Sequence, residues 1–450
     1  MKKRISVLAA ATMLSTAALA DDVAVTIYNS NLGVVSETRK LEFKKGAGQL
    51  AFRDVPTQID ASSVRFEALS SGKNISILEQ NYAFDLIGPE QLYSKYVDKE
   101  IELIDKDGKL YSGTLLAFSG GSATLRESSG KVKIVLMQNV SEVNFPALPD
   151  GLITRPTLFW LYDSDADGSF PCRVGYQTSG LNWSAEYVGV LDKAESKLDL
   201  SGWSSINNTS GKTYRDATLK LIAGDINRVS QPMGRGGMDV AMAMEAPKSA
   251  AFEEKAFFEY HMYTLPRKAT VTDKEIKQIS LFNPAKATVQ KVYLYQPDQN
   301  STQVRVAVKF KNSQQQGLGM PLPAGRIRMF KADDDGALVL LGEDQIKHTP
   351  KDEELDIKVG YAFDVAAEER VTNQSQVSSK VTDYDYEDEI RNHKTEPVTV
   401  KIEKKLWGFW SVLQADFPYV KKDANTLTFE IPAKAGETVT VKYRIRVSYR

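Results

Sequence analysis

Residues 303–310 read QVRVAVKF and residues 439–447 read VTVKYRIRV, and these two stretches are the clearest indication of the fold. Apolar residues recur at every second position in both, which gives an extended strand one apolar face. Residues 23–28, VAVTIY, belong to the same class, and many such runs are divided by Gly, Asp, Asn and Pro. Frequent turn signals between strands of period two are typical of sandwiches and barrels. We therefore expect an all-β protein built from tandem antiparallel β-sandwich domains.

The 450-residue chain exceeds the size of a single hydrophobic core and divides into several predicted units. Five short strands with tight turns in one of these units resemble a small SH3-like or Sm-like barrel. Helical patterns are confined to residues 90–96 and 366–371. The predicted units are a signal peptide at residues 1–20, an N-terminal β domain at 21–88, the SH3-like barrel at 89–147, a β-sandwich at 148–300 with a flexible insertion at 229–256, and a C-terminal β-sandwich at 301–450.

The first twenty residues have the pattern of a secretory signal peptide. Basic residues at positions 2–4 precede a mostly apolar run at positions 5–14, and the segment ends in Ala18-Leu19-Ala20. Such a segment is too short to span a membrane and is removed on export. The sequence therefore predicts cleavage between Ala20 and Asp21 and a periplasmic or secreted protein without a membrane-spanning segment.

Charge and cysteine content narrow the classes of partner and chemistry. Removal of Lys2, Lys3 and Arg4 with the signal peptide changes the formal net charge from −1 to −4. Nucleic-acid binding needs a concentrated basic surface, so no nucleic-acid partner is expected. Cys172 is the single cysteine, which excludes an internal disulfide, and a small buried hydrophobe is its favoured interpretation.

Three aspartates imitate the start of a calcium-binding loop. Asp163, Asp165 and Asp167 stand at alternate positions before Gly168. The twelfth position of such a loop must supply a bidentate glutamate, and here it is Val174. Because Asp and Gly also suit a hairpin turn, the turn is the favoured interpretation. We expect no bound metal and no other cofactor.

No pattern assigns a catalytic role to any residue. Residues 210–213, SGKT, resemble the end of a phosphate-binding loop, but position 206 lacks the required glycine. His261, His348 and His393 lie far apart, and there is no Gly-x-Ser-x-Gly nucleophile motif. The acidic run at residues 383–389 is expected to form a solvated strand or a sheet edge.

Residues 407–410, Trp-Gly-Phe-Trp, place three large aromatic side chains within four positions. Adjacent strand residues face opposite sides, so a regular strand cannot direct all three into one core. A bend at Gly408 or an exposed aromatic patch resolves this conflict. Trp407, Phe409 and Trp410 are therefore candidate ligand-binding aromatics, and core packing through a bend is the alternative.

After about residue 155 the chain contains several separated motifs, which are residues 176–183 with Tyr187, residues 200–203, Asn207 and Asn208, Ser210 and Gly211, and residues 219–225, 319–325, 341–344, 348–350 and 360–365. These motifs resemble a family of secreted bacterial proteins that share a domain of unknown function and are often called mucoidy-inhibitor-like. The resemblance implies an exported β-sandwich architecture and implies no reaction. Many members of that family carry a coiled-coil insertion near the N-terminal side, where this chain has the predicted barrel. The spacing of two of the tryptophans also allows Trp183 and Trp203 to stack in one core.

Three functional hypotheses follow from these observations. The leading one is an exported scaffold or protein-interaction protein of the cell envelope, which makes contact through its sheet edges and the 229–256 insertion. The second is a carbohydrate-binding module that uses the aromatics at residues 407–410. The third is a hydrolase of envelope polymers, which requires a cleft with two carboxyl groups. The partner is thus a protein or an envelope polysaccharide, and the oligomeric state is left open.

Overall fold

The computed structural model describes residues 22–70, 72, 74–83, 89–146, 155–224, 226–227, 252–297 and 302–448. These residues form thirty β-strands, one short α-helix and two 3-10 turns at Met137–Asn139 and Gln314–Gln316. The predicted all-β fold class is therefore confirmed. The predicted signal peptide with Ala20 and Asp21 lies outside the described residues, and so do residues 229–251 of the predicted insertion.

The N-terminal half begins with long strands and continues into a region of short ones. The long strands are β1 (Asp22–Tyr28), β2 (Leu32–Phe43), β3 (Gly46–Arg53), β4 (Ile59–Ala68) and β5 (Ile75–Ala83). The region of short strands contains α1 (Pro89–Lys95), β6 (Glu100–Asp105), β7 (Leu110–Ser119), β8 (Ser122–Arg126), β9 (Val132–Leu136) and β10 (Val140–Asn144).

The remaining strands are mostly long and alternate buried with exposed residues. The next group is β11 (Thr157–Ser164), β12 (Gly168–Thr178), β13 (Leu181–Leu191), β14 (Lys197–Asn208), β15 (Tyr214–Ala223), β16 (Glu253–Phe257), β17 (Tyr260–Thr264), β18 (Ala269–Val271), β19 (Glu275–Thr288) and β20 (Gln290–Tyr295). The last group is β21 (Gln303–Lys311), β22 (Gly325–Ala332), β23 (Leu338–Ile346), β24 (Glu354–Ser378), β25 (Val381–Asn392), β26 (Val398–Lys405), β27 (Phe409–Ala415), β28 (Tyr419–Asp423), β29 (Thr426–Ala433) and β30 (Thr438–Ser448).

One sheet contains strands that precede and strands that follow the region of short strands, β6–β10, in the sequence. Its order is β16-β17-β15-β1-β2-β12-β4, with β18 beside β15. Strand β1 is antiparallel to β2 and parallel to β15, although almost 190 residues separate β1 from β15. The segments 21–88 and 148–300 were predicted as separate units, whereas their strands interleave here. The edge strand β16, Glu253–Phe257, begins inside the insertion predicted at residues 229–256. Alternation identifies a strand but does not reveal its partner.

One hydrophobic core joins this sheet to two others, of orders β3-β11-β5 and β19-β14-β13-β22-β23. Val25 of β1, Trp160 of β11 and Tyr187 of β13 are each at most 1% exposed and belong to the same cluster. Burial of these apolar side chains is the main force that holds the three sheets together. The turn between β12 and β13 needs Gly180, whose φ is +79°.

The short strands form a separate antiparallel sheet of order β10-β6-β7-β8-β9 with its own core. Tyr93 and Tyr96, from α1 and the residue after it, pack on Leu103 and Leu115 of the sheet. The five short strands expected here are thus present. Closure into an SH3-like barrel stays a prediction, because β9 and β10 are the two edges of the described sheet.

The C-terminal sheet has nine strands, in the order β27-β30-β25-β24-β21-β20-β26-β29-β28. Inward residues of these strands form a second core, which includes Val304, Ile390 and Phe429. Strand β21 contributes Val304 to this core and Phe310 to the first core. The domain boundary predicted at residue 301 is therefore followed by a strand, β21, that contributes side chains to both cores.

Candidate binding surface

The three predicted aromatics divide between the surface and the core. Trp407 is 77% exposed and Phe409 is 60% exposed, while Trp410 packs on the second core. Gly408, with φ at +78°, bends the chain between them. Phe409 and Trp410 then point to opposite faces of β27, as alternation requires. The sequence analysis offered a bend at Gly408 or an exposed aromatic patch, and both occur. The bend directs Trp410 inward, and Trp407 and Phe409 remain exposed.

Trp410 also joins the two edges of the C-terminal sheet. Its Nε1 donates a hydrogen bond to the carbonyl oxygen of Ala424 at 2.7 Å. The Nζ atom of Lys421 on β28 lies 4.3 Å from the centre of the Trp410 ring. Strands β27 and β28 are the edge strands of the sheet, and only residues 416–418 connect them. The two edges of the sheet therefore come together at residues 407–423, which we call the aromatic hairpin, although β27 pairs with β30 and β28 pairs with β29 and not with each other.

The outer side of the aromatic hairpin is apolar to an unusual degree. Soluble proteins rarely leave large apolar groups clustered in water, and such clusters mark interaction sites. Basic side chains lie beside them, and Nζ of Lys422 donates to Glu403 Oε1 at 2.8 Å. The exposed apolar residues on this side and their exposed fractions are Trp407 (77%), Phe409 (60%), Leu413 (45%) and Val420 (65%), whereas Tyr419 (41%) points to the other face, against Phe429 of the second core.

A cavity of about 290 Å³ opens on β24, β25, β27 and β30. Its carboxylates are already paired, Asp385 with Arg444 and Glu387 with Lys442. The hydrogen bond from Arg444 lowers the pKa of Asp385, whereas a glycosidase general acid needs a raised pKa. This arrangement does not favour the hydrolase hypothesis. The lining residues are Thr372, Asp385, Tyr386, Glu387, Gln414, Lys442, Tyr443 and Arg444.

The acidic run at residues 383–389 lies on β25, an inner strand of the sheet and not an edge. Its outward carboxylates face basic residues of β30. Arg446 donates to both carboxylate oxygens of Asp383, at 2.7 and 2.8 Å, and Arg444 pairs with Asp385 in the same way. Opposite charges directly across two strands stabilise their register. We call these pairs the cross-strand ladder.

A buried ion cluster in the first core was missed by the sequence analysis. Glu37 is fully buried, and its carboxylate accepts hydrogen bonds from Lys212 Nζ at 2.5 Å and Arg39 Nε at 2.9 Å. The hydroxyl of Tyr176 also donates to Glu37. Burial alone would raise the pKa of Glu37, but the charges of Lys212 and Arg39 outweigh burial and lower it. These four residues form the Glu37 cluster.

The two cations of the Glu37 cluster also donate hydrogen bonds to main-chain carbonyl oxygens. Arg39 Nη1 donates to the carbonyl of Arg53 at 2.7 Å, and Lys212 Nζ donates to that of Asp54 at 2.6 Å. Lys212 belongs to the SGKT stretch, so its ammonium is used inside the protein and not at a phosphate. The cluster ties β2 to the end of β3 and to the turn before β15.

A second ion cluster lies inside the C-terminal sheet. Lys404 Nζ contacts Glu369 Oε1 at 2.6 Å. The hydroxyl of Tyr443 lies 3.1 Å from Glu369 Oε2 and 3.1 Å from Asp388 Oδ2. Asp388 is fully buried, and burial together with both carboxylates raises the pKa of Tyr443 well above its usual value. These four residues form the Glu369 cluster.

The remaining sequence candidates serve local structure. Asp165 Oδ2 accepts from the amide of Asn74 at 3.0 Å, and Asp167 Oδ1 accepts from the amide of Lys45 at 2.9 Å. Asp163 lies on β11. Within the described residues, no group of three or more His, Cys, Asp or Glu side chains is arranged to hold a metal ion. Cys172 is buried, which raises the pKa of its thiol to about 12.

Two of the histidines make local hydrogen bonds. Nδ1 of His261 lies 2.8 Å from Glu254 Oε1, across the hairpin of β16 and β17. Nδ1 of His348 accepts from the amide of Ala324 at 3.1 Å. His348 and His261 therefore have structural partners in the described part of the chain.

No helix among the described residues is long and apolar enough to cross a membrane. The sequence matches no model of a known protein family and no curated protein.

Proposed function

We propose that this chain is an exported protein of the cell envelope that binds a partner protein through the aromatic hairpin. The observation that supports the proposal is the exposure of Trp407 and Phe409 together with Leu413 and Val420. Interface cores are enriched in aromatic residues and surrounded by polar rims, and here Lys421 and Lys422 supply polar groups. The proposed contact surface lies at the edge strands of the C-terminal sheet, and the sequence analysis also expected contact through sheet edges. The proposal does not include the 229–256 insertion.

A protein partner is favoured over a polysaccharide by the aliphatic members of the surface. Leu413 and Val420 are 45% and 65% exposed and offer neither a flat ring face nor a hydrogen bond to a sugar hydroxyl. They do suit the mixed apolar core of a protein interface. The exposed rings of Trp407 and Phe409 keep carbohydrate binding as the second candidate, since exposed rings are what a sugar face stacks on.

Export rests on the signal-peptide pattern of residues 1–20 and on the resemblance to the mucoidy-inhibitor-like family. Both support an envelope location, and the all-β architecture is compatible with that family. Sequencing the N-terminus of the protein isolated from the envelope fraction tests this part of the proposal. We expect Asp21 as the first residue, and an intact Met1 in the cytoplasmic fraction would contradict export.

The binding surface is tested with a photo-crosslinking residue at position 407 in the full chain. We expect a discrete crosslinked protein in envelope extracts, and we expect the Phe409→Ala change in the same chain to reduce its yield severalfold. The matched control is Phe363→Ala on β24, because Phe363 is 99% exposed and lies outside the hairpin. Equal loss in both variants, or no crosslink, would contradict the proposal.

A parallel measurement separates the two partner classes. Wild-type protein and the Trp407→Ala/Phe409→Ala variant are compared for retention in gels that contain isolated envelope polysaccharide. Retention of the wild type alone would support the carbohydrate-binding candidate over the protein partner. We expect equal mobility of the two proteins.

A further inference from the structure

Strand β9 is an edge of the small five-stranded sheet and carries an exposed apolar stripe. Val132 is 58% exposed, Ile134 is 70% exposed and Leu136 is 47% exposed. Val135, between them, points to the other face and is buried in the small core. Among the described strands, β9 pairs with β8 alone. One side of β9 therefore has no main-chain partner among the described residues, and three apolar side chains lie beside it.

The opposite edge of the same sheet is protected in the usual way. Edge strands of soluble proteins commonly carry polar or charged outward residues that discourage pairing. Strand β10 has the exposed residues Ser141 and Glu142. On β9, Lys133 is paired with Glu127 and lies on the face opposite to the stripe. The apolar stripe of β9 is thus a property of this edge and not of the whole sheet.

We propose that β9 pairs antiparallel with β9 of a second copy of this chain, about a two-fold axis at Ile134. The two small sheets then form one continuous ten-stranded sheet. Ile134 lies opposite the partner's Ile134, and Val132 lies opposite the partner's Leu136. A two-fold contact uses the same surface on both copies, and a strand with a symmetric apolar stripe provides its own complement.

The charges of β9 select this register. Pairing centred on residue 133 would place Lys133 opposite the partner's Lys133, and pairing centred on Val132 would place Lys131 opposite that lysine. Like charges directly opposite each other destabilise a strand pair. Pairing centred on Ile134 opposes no two lysines and uses the whole of β9, Val132–Leu136. A centre at Val135 would extend past the strand into the 3-10 turn at Met137–Asn139.

Cysteine crosslinking in the full chain tests both the pairing and its register. The native Cys172 is buried, so an engineered surface cysteine is the reactive thiol. Ile134→Cys is expected to give a disulfide-linked dimer under mild oxidation. Val132→Cys alone is expected to give none, because two such residues would lie about 13 Å apart, beyond the reach of a disulfide. A mixture of Val132→Cys and Leu136→Cys chains is expected to crosslink.

Two outcomes of this experiment would overturn the proposal. The first is the absence of a crosslink with Ile134→Cys. The second is equally strong crosslinking of Val132→Cys alone, which would indicate parallel or unspecific contact.

Sedimentation velocity over a range of concentrations provides an independent readout. We expect the wild type to shift from monomer to dimer as concentration rises, and Ile134→Lys to remain monomeric with an unchanged circular dichroism spectrum. The control is Leu110→Lys, because Leu110 is 55% exposed on β7 of the same sheet, outside β9. A wild type that stays monomeric at every concentration would overturn self-pairing, even if a foreign peptide binds β9. The aromatic hairpin plays no part in this result.

Discussion

The two buried ion clusters differ in the sign of their excess charge. The Glu37 cluster holds one carboxylate and two cations, and the Glu369 cluster holds two carboxylates and one ammonium. Carbonyl oxygens of Arg53 and Asp54 accept the extra donors of the first cluster. In the second, the single hydroxyl hydrogen of Tyr443 serves one of two carboxylate oxygens at 3.1 Å. The first cluster therefore keeps an excess of positive charge that main-chain carbonyls accept, whereas the second holds more negative than positive charge.

The largest expected effect is the loss of the one anion in the Glu37 cluster. Glu37→Gln leaves Lys212 and Arg39 buried without a counter-charge, and breaking a buried pair in this way costs about 3–5 kcal/mol. We expect the free energy of unfolding to fall by about that amount, measured by urea denaturation at neutral pH. The matched control is Asp388→Asn, a carboxylate-to-amide change at another fully buried site.

Asp388→Asn is expected to cost less than Glu37→Gln, because Glu369 remains beside Lys404 and the new amide can donate to the Tyr443 oxygen. Equal losses in Glu37→Gln and Asp388→Asn would mean that the two clusters do not differ as proposed.

Removal of the single cation from the Glu369 cluster is expected to be the next largest effect. Lys404→Met leaves Glu369 and Asp388 close together in the core without a positive charge. We expect a loss of about 3 kcal/mol at neutral pH that shrinks on acidification, because protonation relieves two adjacent buried carboxylates. Urea denaturation at pH 7 and pH 5 measures the difference. A loss that does not depend on pH would indicate that packing, and not charge, is what Lys404 contributes.

Alternation predicted the strands well because it is a local property. Residues 303–310 and 439–447 lie in β21 and β30 as expected. Residues 366–371, predicted as helical, instead belong to β24, where Ala367 and Glu369 face the core. There, pairing with β25 outweighs the helix preference of Ala, Glu and Arg.

The sequence shows that some charged residues of the two clusters occupy inward strand positions, but it does not show which distant residues pair with them. Glu37 occupies an inward position between Val35 and Leu41, and Lys404 follows Val400 and Ile402 in the same alternation. A charge at an inward position indicates a buried ion that needs a partner. Arg39, the next inward residue of β2, is one partner of Glu37, but the other cation, Lys212, lies 175 residues away, and no local pattern identifies it.

Register decides which side chains meet, and register was not visible in the sequence. Trp183 lies opposite Ile206, and Trp203 lies opposite Glu186. The two tryptophans therefore occupy different faces of the sheet, and the expected stacking is wrong. The exposure of Trp407 and Phe409 was foreseeable because three aromatics in four residues conflict with alternation. The choice of Trp410 as the inward ring depended on the bend at Gly408.

The contribution of the Glu37 cluster to the free energy of unfolding of the wild type should also depend on pH, and this effect is expected to be smaller than those of the substitutions above. The pKa of Glu37 is lower in the folded protein than its value of about 4.3 in an unfolded chain. The folded state therefore binds fewer protons, and this stabilisation is present above that pH and is lost as the pH falls through the folded pKa. We expect the gap between wild type and Glu37→Gln in urea denaturation to narrow below about pH 4. A constant gap down to pH 3 would contradict the assigned charge state.

The smallest expected effect is on the cross-strand ladder, where the Asp383–Arg446 ion pair is partly exposed, unlike the charges of the buried clusters. The hydrogen bond from Arg446 lowers the pKa of Asp383, so both groups are charged near neutral pH. Water and salt screen such a pair, so Asp383→Asn should reduce stability only slightly. The reduction should disappear when the salt concentration rises from about 0.05 M to about 1 M, whereas the loss in Glu37→Gln should persist. Urea midpoints at the two salt concentrations test this contrast. A salt-independent loss in Asp383→Asn would show that the two-fold hydrogen bond from Arg446, and not the charge, holds β25 against β30.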